Sequence, residues 1–168
     1  MSQLFRTIRQ LISESNYDEL RNITITKPTH FNWFREVFED INVKESPSQP
    51  ALIWTNGEST QAFSFEQLSQ AANKLLNFLR TNNIREQDVM LLQMALLPNN
   101  WIAILAGIKG GFRLVPAATV LGVQDVAYRF GRLMPNVVIC DSENAEKIDE
   151  AEKISGKKVS LKLIVDGS

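Results

Sequence analysis

Up to Thr81, apolar residues recur mainly at helical spacing, interrupted by one pair of short runs; beyond it, unbroken apolar runs alternate with amphipathic segments. Leu4, Ile8, Leu11 and Ile12 share one face and predict an N-terminal amphipathic helix. Phe31, Phe34, Val37, Phe38 and Ile41 predict a second, with Thr29 as N-cap. VKESPSQP breaks that period as a loop. ALIWT and QAFSF flank NGES and predict a hairpin with a glycine turn. Ser64 opens the clearest helix. Gln67, three residues on, completes a capping box, in which each side chain satisfies a backbone N–H that a helix start leaves unpaired. Phe65, Leu68, Ala72, Leu75, Leu76 and Leu79 hold the helical period to Arg80, and TNN ends it.

VMLLQM, RLVP, VVIC and LKLIV then read as strands, the first as a continuous apolar run covered on both faces. Between them, PNNWIAILAGIKGG, VQDVAYRFGRLM and SENAEKIDEAEKIS read as helices, with Trp101, Ile104, Leu105 and Ile108 along one side of the first. Four strands with three intervening helices predict an α/β fold, a mainly parallel sheet with flanking helices.

Composition narrows the function without naming it. Hydrophobic residues are 44% and charged residues 22%, and the net charge is −1. No long basic run points to nucleic acid. No apolar run is long enough to span a bilayer, and the N-terminus lacks the apolar core of a secretory signal. A single cysteine, Cys140, excludes an intrachain disulfide framework and fits a reducing, cytoplasmic compartment.

The candidate chemistry is sparse. Gly110 and Gly111 follow a helix and precede a strand, the reverse of a phosphate loop, and read as a helix C-cap. TNGEST, Thr55–Thr60, lacks the later glycine and lysine of a phosphate loop and is better housed in the hairpin. His30 is the only histidine and has no metal partner at ligand spacing. Cys140 ends a buried-looking strand and reads as inert core. Asp141 and Asp166 follow strands, where α/β proteins bind ligands; Asp141 reads as the cap of the next helix, and nothing marks a role for Asp166. Trp33, Trp54 and Trp101 fall in apolar segments and read as core. No carboxylate pair or activated serine stands out, so catalytic residues: none; metal ligands: none.

The order of FNWFREVFEDI, PALIW, FSFEQLSQAANKLLNFLRTNNIREQDVMLLQMALLPNNWIAILAGIKGGFRLVPAATVLGVQDVAYRF and VVICDSENAEKIDEA…LKLIVDG resembles the N-terminal part of an AMP-forming acyl-CoA synthetase of the adenylate-forming superfamily, closest to its medium-chain and acetyl-type branch. The resemblance runs from Thr29 to Gly167. It implies a helical extension over residues 1–28 and a partial α/β N-terminal subdomain over 29–168, truncated before the ATP phosphate loop. It also implies a two-step reaction in the full-length enzyme. A carboxylic acid substrate attacks ATP, with Mg²⁺, to give acyl-AMP; CoA then displaces AMP. The phosphate loop, acyl pocket and C-terminal lysine of the family lie downstream, so the fragment is expected to be inactive, to bind no cofactor alone, and to need the remainder of the same polypeptide. Exposed apolar surface predicts self-association of the fragment. In this branch the loop after the proline matching Pro116 approaches CoA, which makes Thr119 and Val120 the CoA-side candidates. Valine lacks the side-chain hydrogen bond of the family's polar residue, though its backbone is still available. The alternative is a stand-alone binding or interaction module that reuses the fold.

Overall fold

The computed structural model describes residues 2–165. Six strands and seven helices follow one another along them. Helices α1 (Ser2–Ser13) and α2 (Tyr17–Arg21) lead into a π-helix, Phe34–Val43. A hairpin of β1 (Pro50–Thr55) and β2 (Thr60–Ser64) precedes α3 (Phe65–Thr81). Then β3 (Val89–Gln93), α4 (Pro98–Gly110), β4 (Arg113–Pro116), α5 (Val123–Leu133), β5 (Val137–Asp141), α6 (Ser142–Ser155) and β6 (Leu161–Val165) alternate.

The last four strands form a parallel sheet in the order β4-β3-β5-β6, and β1 pairs with β2 antiparallel. This is the predicted α/β architecture. The two central strands are buried along their whole length, while the edge strands β4 and β6 are partly exposed. Alternate residues serve opposite faces. Met90, Leu92, Val137 and Ile139 pack with α3, α4 and the π-helix. Leu91, Val138 and Cys140 pack with Val126 and Phe130 of α5 and Ile148 and Ala151 of α6. Helices therefore cover both faces, as the apolar run of β3 requires.

The capping box at Ser64 forms as predicted: Ser64 Oγ accepts the Gln67 N–H at 3.2 Å, and Gln67 Oε1 accepts the Ser64 N–H at 2.8 Å. Gly111 adopts φ 71° directly after α4, the left-handed conformation of a helix C-cap, so the glycine pair is a joint.

Four readings are corrected. Asn32, not Thr29, caps the π-helix; its Oδ1 accepts the Arg35 N–H at 3.2 Å. Phe31 lies outside the helix and stacks on Phe5, with centroids 6.1 Å apart. In α1 only Leu11 is buried, and Ile12 turns outward. α4 meets the sheet at Gly107. Ala103, Ala106, Gly107 and Gly110 are buried, and a Cβ on Gly107 would collide with Leu114 and with Met90 Cε at 2.8 Å. Trp101, Ile104, Leu105 and Ile108 share one side of α4, as predicted, and line a groove of about 390 Å³ with Trp33 and Phe38, with Leu105 itself buried. Trp33 and Trp101 are consequently half-exposed, and Trp54 is partly exposed, its indole donating to Leu96 O at 2.7 Å. None of the three tryptophans is closed core.

Candidate functional site

In an open parallel sheet, ligands bind outside the carboxyl ends of the strands, where the strand order reverses. β4 and β5 flank β3, so the reversal falls between β3 and β5. Asp141 stands there, buried, with both oxygens committed. Oδ2 accepts the Ala95 N–H at 2.8 Å; Oδ1 accepts the Asn144 N–H at 3.1 Å and its Nδ2 at 2.6 Å. The side chain caps α6, as expected, and also staples the loop after β3 to that helix. Three hydrogen bonds hold the carboxylate as a cap and a staple.

The open space lies beside it. A cleft of about 380 Å³ between the ends of β3 and β4 is lined by Leu92, Met94, Leu96, Asn100, Pro116 and Thr119, among others. Both CoA-side candidates sit on its β4 side. Thr119 is half-buried in the wall, and Val120 is 90% exposed at the loop tip. Behind the loop runs a polar chain that sequence reading missed. Gln93 Nε2 donates to Ala118 O at 3.1 Å, Lys147 Nζ donates to Thr119 O at 2.7 Å, and Lys147 also donates to Asn144 Oδ1 at 2.8 Å. Gln93 is fully buried, and its Oε1 has no protein partner, which costs roughly 1–3 kcal/mol. An amide inside the run VMLLQM was the one signal available, because a polar group in a buried strand needs a partner. Nothing in the sequence pairs Lys147 with a loop 28 residues earlier.

The other candidates resolve as structure. Burial, followed by the neighbouring charges of Asp141 and Asp149, pushes the Cys140 thiol up to about 11, so it is an inert core residue. In TNGEST, Asn56 Oδ1 accepts the Glu58 and Ser59 N–H groups at 3.0 and 2.8 Å, and Gly57 takes φ 92°, which makes a tight hairpin loop. His30 lies exposed on a larger cleft of about 500 Å³ near the opposite, N-terminal edge of the sheet, among Arg35, Arg80, Arg85 and Lys109. There Lys109 is held by Glu39 at 2.7 Å, and Arg85 donates to Arg80 O and Asn83 Oδ1. Among the described residues no cluster of three or more His, Cys, Asp or Glu is placed to hold a metal ion. Asp166 lies outside the described residues. No described helix is long and apolar enough to cross a membrane.

Solved CoA ligases share this fold. The benzoate CoA ligase from Burkholderia xenovorans LB400 superposes with a TM-score of 0.69 at 19% identity, covering 81% of this chain and 26% of that one. The Brucella canis acyl-CoA synthetase does so at 0.70 and 19% identity, covering 87% and 26%. The AMP-binding enzyme family matches residues 39–168, and the chain belongs to that family. Among its relatives, 4-hydroxybutyrate–CoA ligase 1 of Metallosphaera sedula is 43% identical over 140 residues, which is 82% of this chain and 24% of the relative. The human mitochondrial acyl-coenzyme A synthetase ACSM3 is 30% identical over 159 residues, which is 90% and 27%. The chain thus spans about a quarter of the length of the relatives it matches. The resemblance drawn from the sequence to AMP-forming acyl-CoA synthetases holds.

Proposed function

We propose that this chain is the N-terminal body of an AMP-forming acyl-CoA ligase. In the whole protein a carboxylic acid attacks the α-phosphate of ATP, forming acyl-AMP and releasing pyrophosphate. The thiol of CoA then attacks the acyl carbon, forming the thioester and releasing AMP. Mg²⁺ would assist the first step from residues beyond this chain. The chain's own contribution is the covered sheet, against which the rest of the polypeptide packs, and the wall that carries Thr119 and Val120 on the CoA side. Alone it is inactive and binds no cofactor.

The observation that carries this reading is the likeness, over most of the chain, to a protein named as a CoA ligase. Residues 1–28 are read as a helical extension and 29–168 as a partial α/β subdomain. In support, α1 binds the π-helix through Ser2 Oγ to Glu36 O at 2.9 Å and Arg6 Nη2 to Asp40 O at 3.3 Å. The cytoplasm is the proposed location, in keeping with an unpaired buried cysteine.

The test is pyrophosphate exchange into ATP by the full-length protein, with 4-hydroxybutyrate and a series of simple carboxylic acids, followed by thioester formation on adding CoA. Acid-dependent exchange and CoA-dependent AMP release are expected, with neither from the 168-residue chain alone. A full-length protein that performs neither reaction overturns the proposal.

A further inference from the structure

The tip of the β1–β2 hairpin brings together the parts of a reaction that the chain can perform on itself. Asn56 precedes Gly57, and no other asparagine in the sequence precedes a glycine. Both residues are exposed, and a Cβ added to Gly57 would meet no atom within 4 Å. The Asn56 side chain folds back over the residues that follow it, as short polar side chains do in turns. Its Oδ1 accepts the Glu58 N–H at 3.0 Å, the Ser59 N–H at 2.8 Å and the Ser59 hydroxyl at 3.2 Å. Three donors on one amide oxygen polarise the carbon that carries it. They also stand where negative charge gathers when a nucleophile adds to that carbon.

An asparagine amide has one backbone nucleophile that closes a five-membered ring with it, the nitrogen of the next peptide, and intramolecular attack of this kind carries a large entropic advantage. Here that atom is Gly57 N, with no side chain beside it to obstruct the ring. Its N–H donates to Thr55 Oγ1 at 3.2 Å, and the Thr55 hydroxyl donates in turn to Ser59 O at 2.9 Å. An N–H points within the peptide plane, so this bond leaves the faces of the nitrogen open to the side chain.

We infer that Asn56 is a site of spontaneous deamidation, and that the folded hairpin tip speeds the reaction through the three donors on Oδ1. Hydroxide takes the Gly57 N–H proton, and the nitrogen attacks Asn56 Cγ. The Cγ=O electron pair moves to Oδ1, where the Glu58 and Ser59 donors receive it. It returns as the Cγ–Nδ2 bond breaks, and the nitrogen leaves as ammonia with a proton from water. A water molecule then opens the cyclic imide at one of its two carbonyls, giving aspartate or isoaspartate. The net change is one water consumed and one ammonia released. Either product places a new carboxylate beside Glu58. Isoaspartate also lengthens the main chain at the tip, next to the Thr55–Thr60 pair of the hairpin. This inference is independent of the function proposed above.

The experiment incubates the full-length protein in mildly alkaline buffer, folded and in guanidinium chloride, beside its Ser59→Ala and Asn56→Ser variants. Trypsin releases peptide 45–74, and mass spectrometry follows its conversion from amide to acid. Fragment ions place the change, and an isoaspartyl methyltransferase assay scores isoaspartate. Conversion is expected at Asn56, with isoaspartate among the products, about fivefold faster in the folded protein than in the unfolded chain. Ser59→Ala, which removes one donor from Oδ1, should slow the folded protein about threefold and leave the unfolded rate unchanged. Asn56→Ser keeps an acceptor in the turn and should show no conversion at that position. A folded protein that retains the Asn56 amide, or converts it no faster than the unfolded chain, overturns the inference. A Ser59→Ala rate equal to that of the parent when folded overturns it too, as does conversion concentrated at another asparagine.

Discussion

At the scale of single residues, what separates a reactive group from an inert one is whether its polar atoms are free. Asp141 stands where a doubly wound sheet offers a ligand crevice, yet hydrogen bonds occupy both its oxygens. Cys140, its neighbour, has the opposite problem. It is 2% exposed, and burial with the nearby carboxylates raises its thiol to about 11. The thiolate is the nucleophile, and at about pH 8 almost none is present. Native protein is therefore expected to leave Cys140 unlabelled by an aromatic disulfide reagent, while urea-unfolded protein reacts at one thiol per chain. Rapid stoichiometric labelling of the folded chain would contradict the account of Cys140 as sealed core.

At the scale of elements, Glu39 ties three helices together. From the π-helix it accepts Lys109 Nζ of α4 at 2.7 Å, and Ser69 Oγ and Asn73 Nδ2 of α3 at 3.1 and 3.3 Å. Burial works to raise its carboxyl, but the hydrogen bonds from Lys109, Asn73 and Ser69 outweigh it and hold the group below the ordinary value of 4.5. The folded state thus binds this proton less tightly than the unfolded chain does. Its stabilisation is complete above 4.5 and is lost as pH falls through the lower folded value. Urea midpoints taken from about pH 7 downward should show a loss below 4.5 that is shallower in Glu39→Gln. Identical slopes in both proteins would remove Glu39 from the acid response. How much of this level the sequence disclosed depends on range. The Ser64–Gln67 box, the Asn56 turn and the Gly111 cap were legible because each is satisfied within a few residues. Strand and helix alternation was legible because β3 and β5 are buried on both faces. The shared side of Trp101, Ile104, Leu105 and Ile108 was legible from their spacing, but not that the sheet meets α4 at Gly107, where a Cβ would strike Leu114 and Met90. Glu39 with Lys109, and Lys147 with Thr119, join residues 70 and 28 apart, and no local pattern encodes them.

At the scale of the whole molecule, the described surface is unevenly finished. On one side of α4, the half-exposed rings of Trp33 and Trp101 open a groove whose walls are Phe38, Leu52, Leu68 and Ile104. Leu96 is 74% exposed and Ile53 66%, and Trp54, next to Ile53 in β1, donates its indole N–H to Leu96 O. On the far edge of the sheet, β6 pairs only with β5 among the described residues, and Ile164 is 57% exposed along it. Scattered apolar residues are ordinary, but a contiguous apolar groove and an open strand edge are each what folded surfaces usually cover. The net charge of −1 opposes association only weakly. The 168-residue chain by itself is therefore expected to self-associate, with a weight-average sedimentation coefficient that rises across the micromolar range. Replacing Trp101 and Leu96 by lysine should return it toward monomer, with a fall in urea midpoint that comes from the half-exposed Trp101 ring and not from Leu96, which stands largely in water. If the parent chain sediments as a single monomer at every concentration, the groove is tolerated as free surface. If the double variant still associates, the contact lies elsewhere, and the open edge of β6 becomes the surface to alter next.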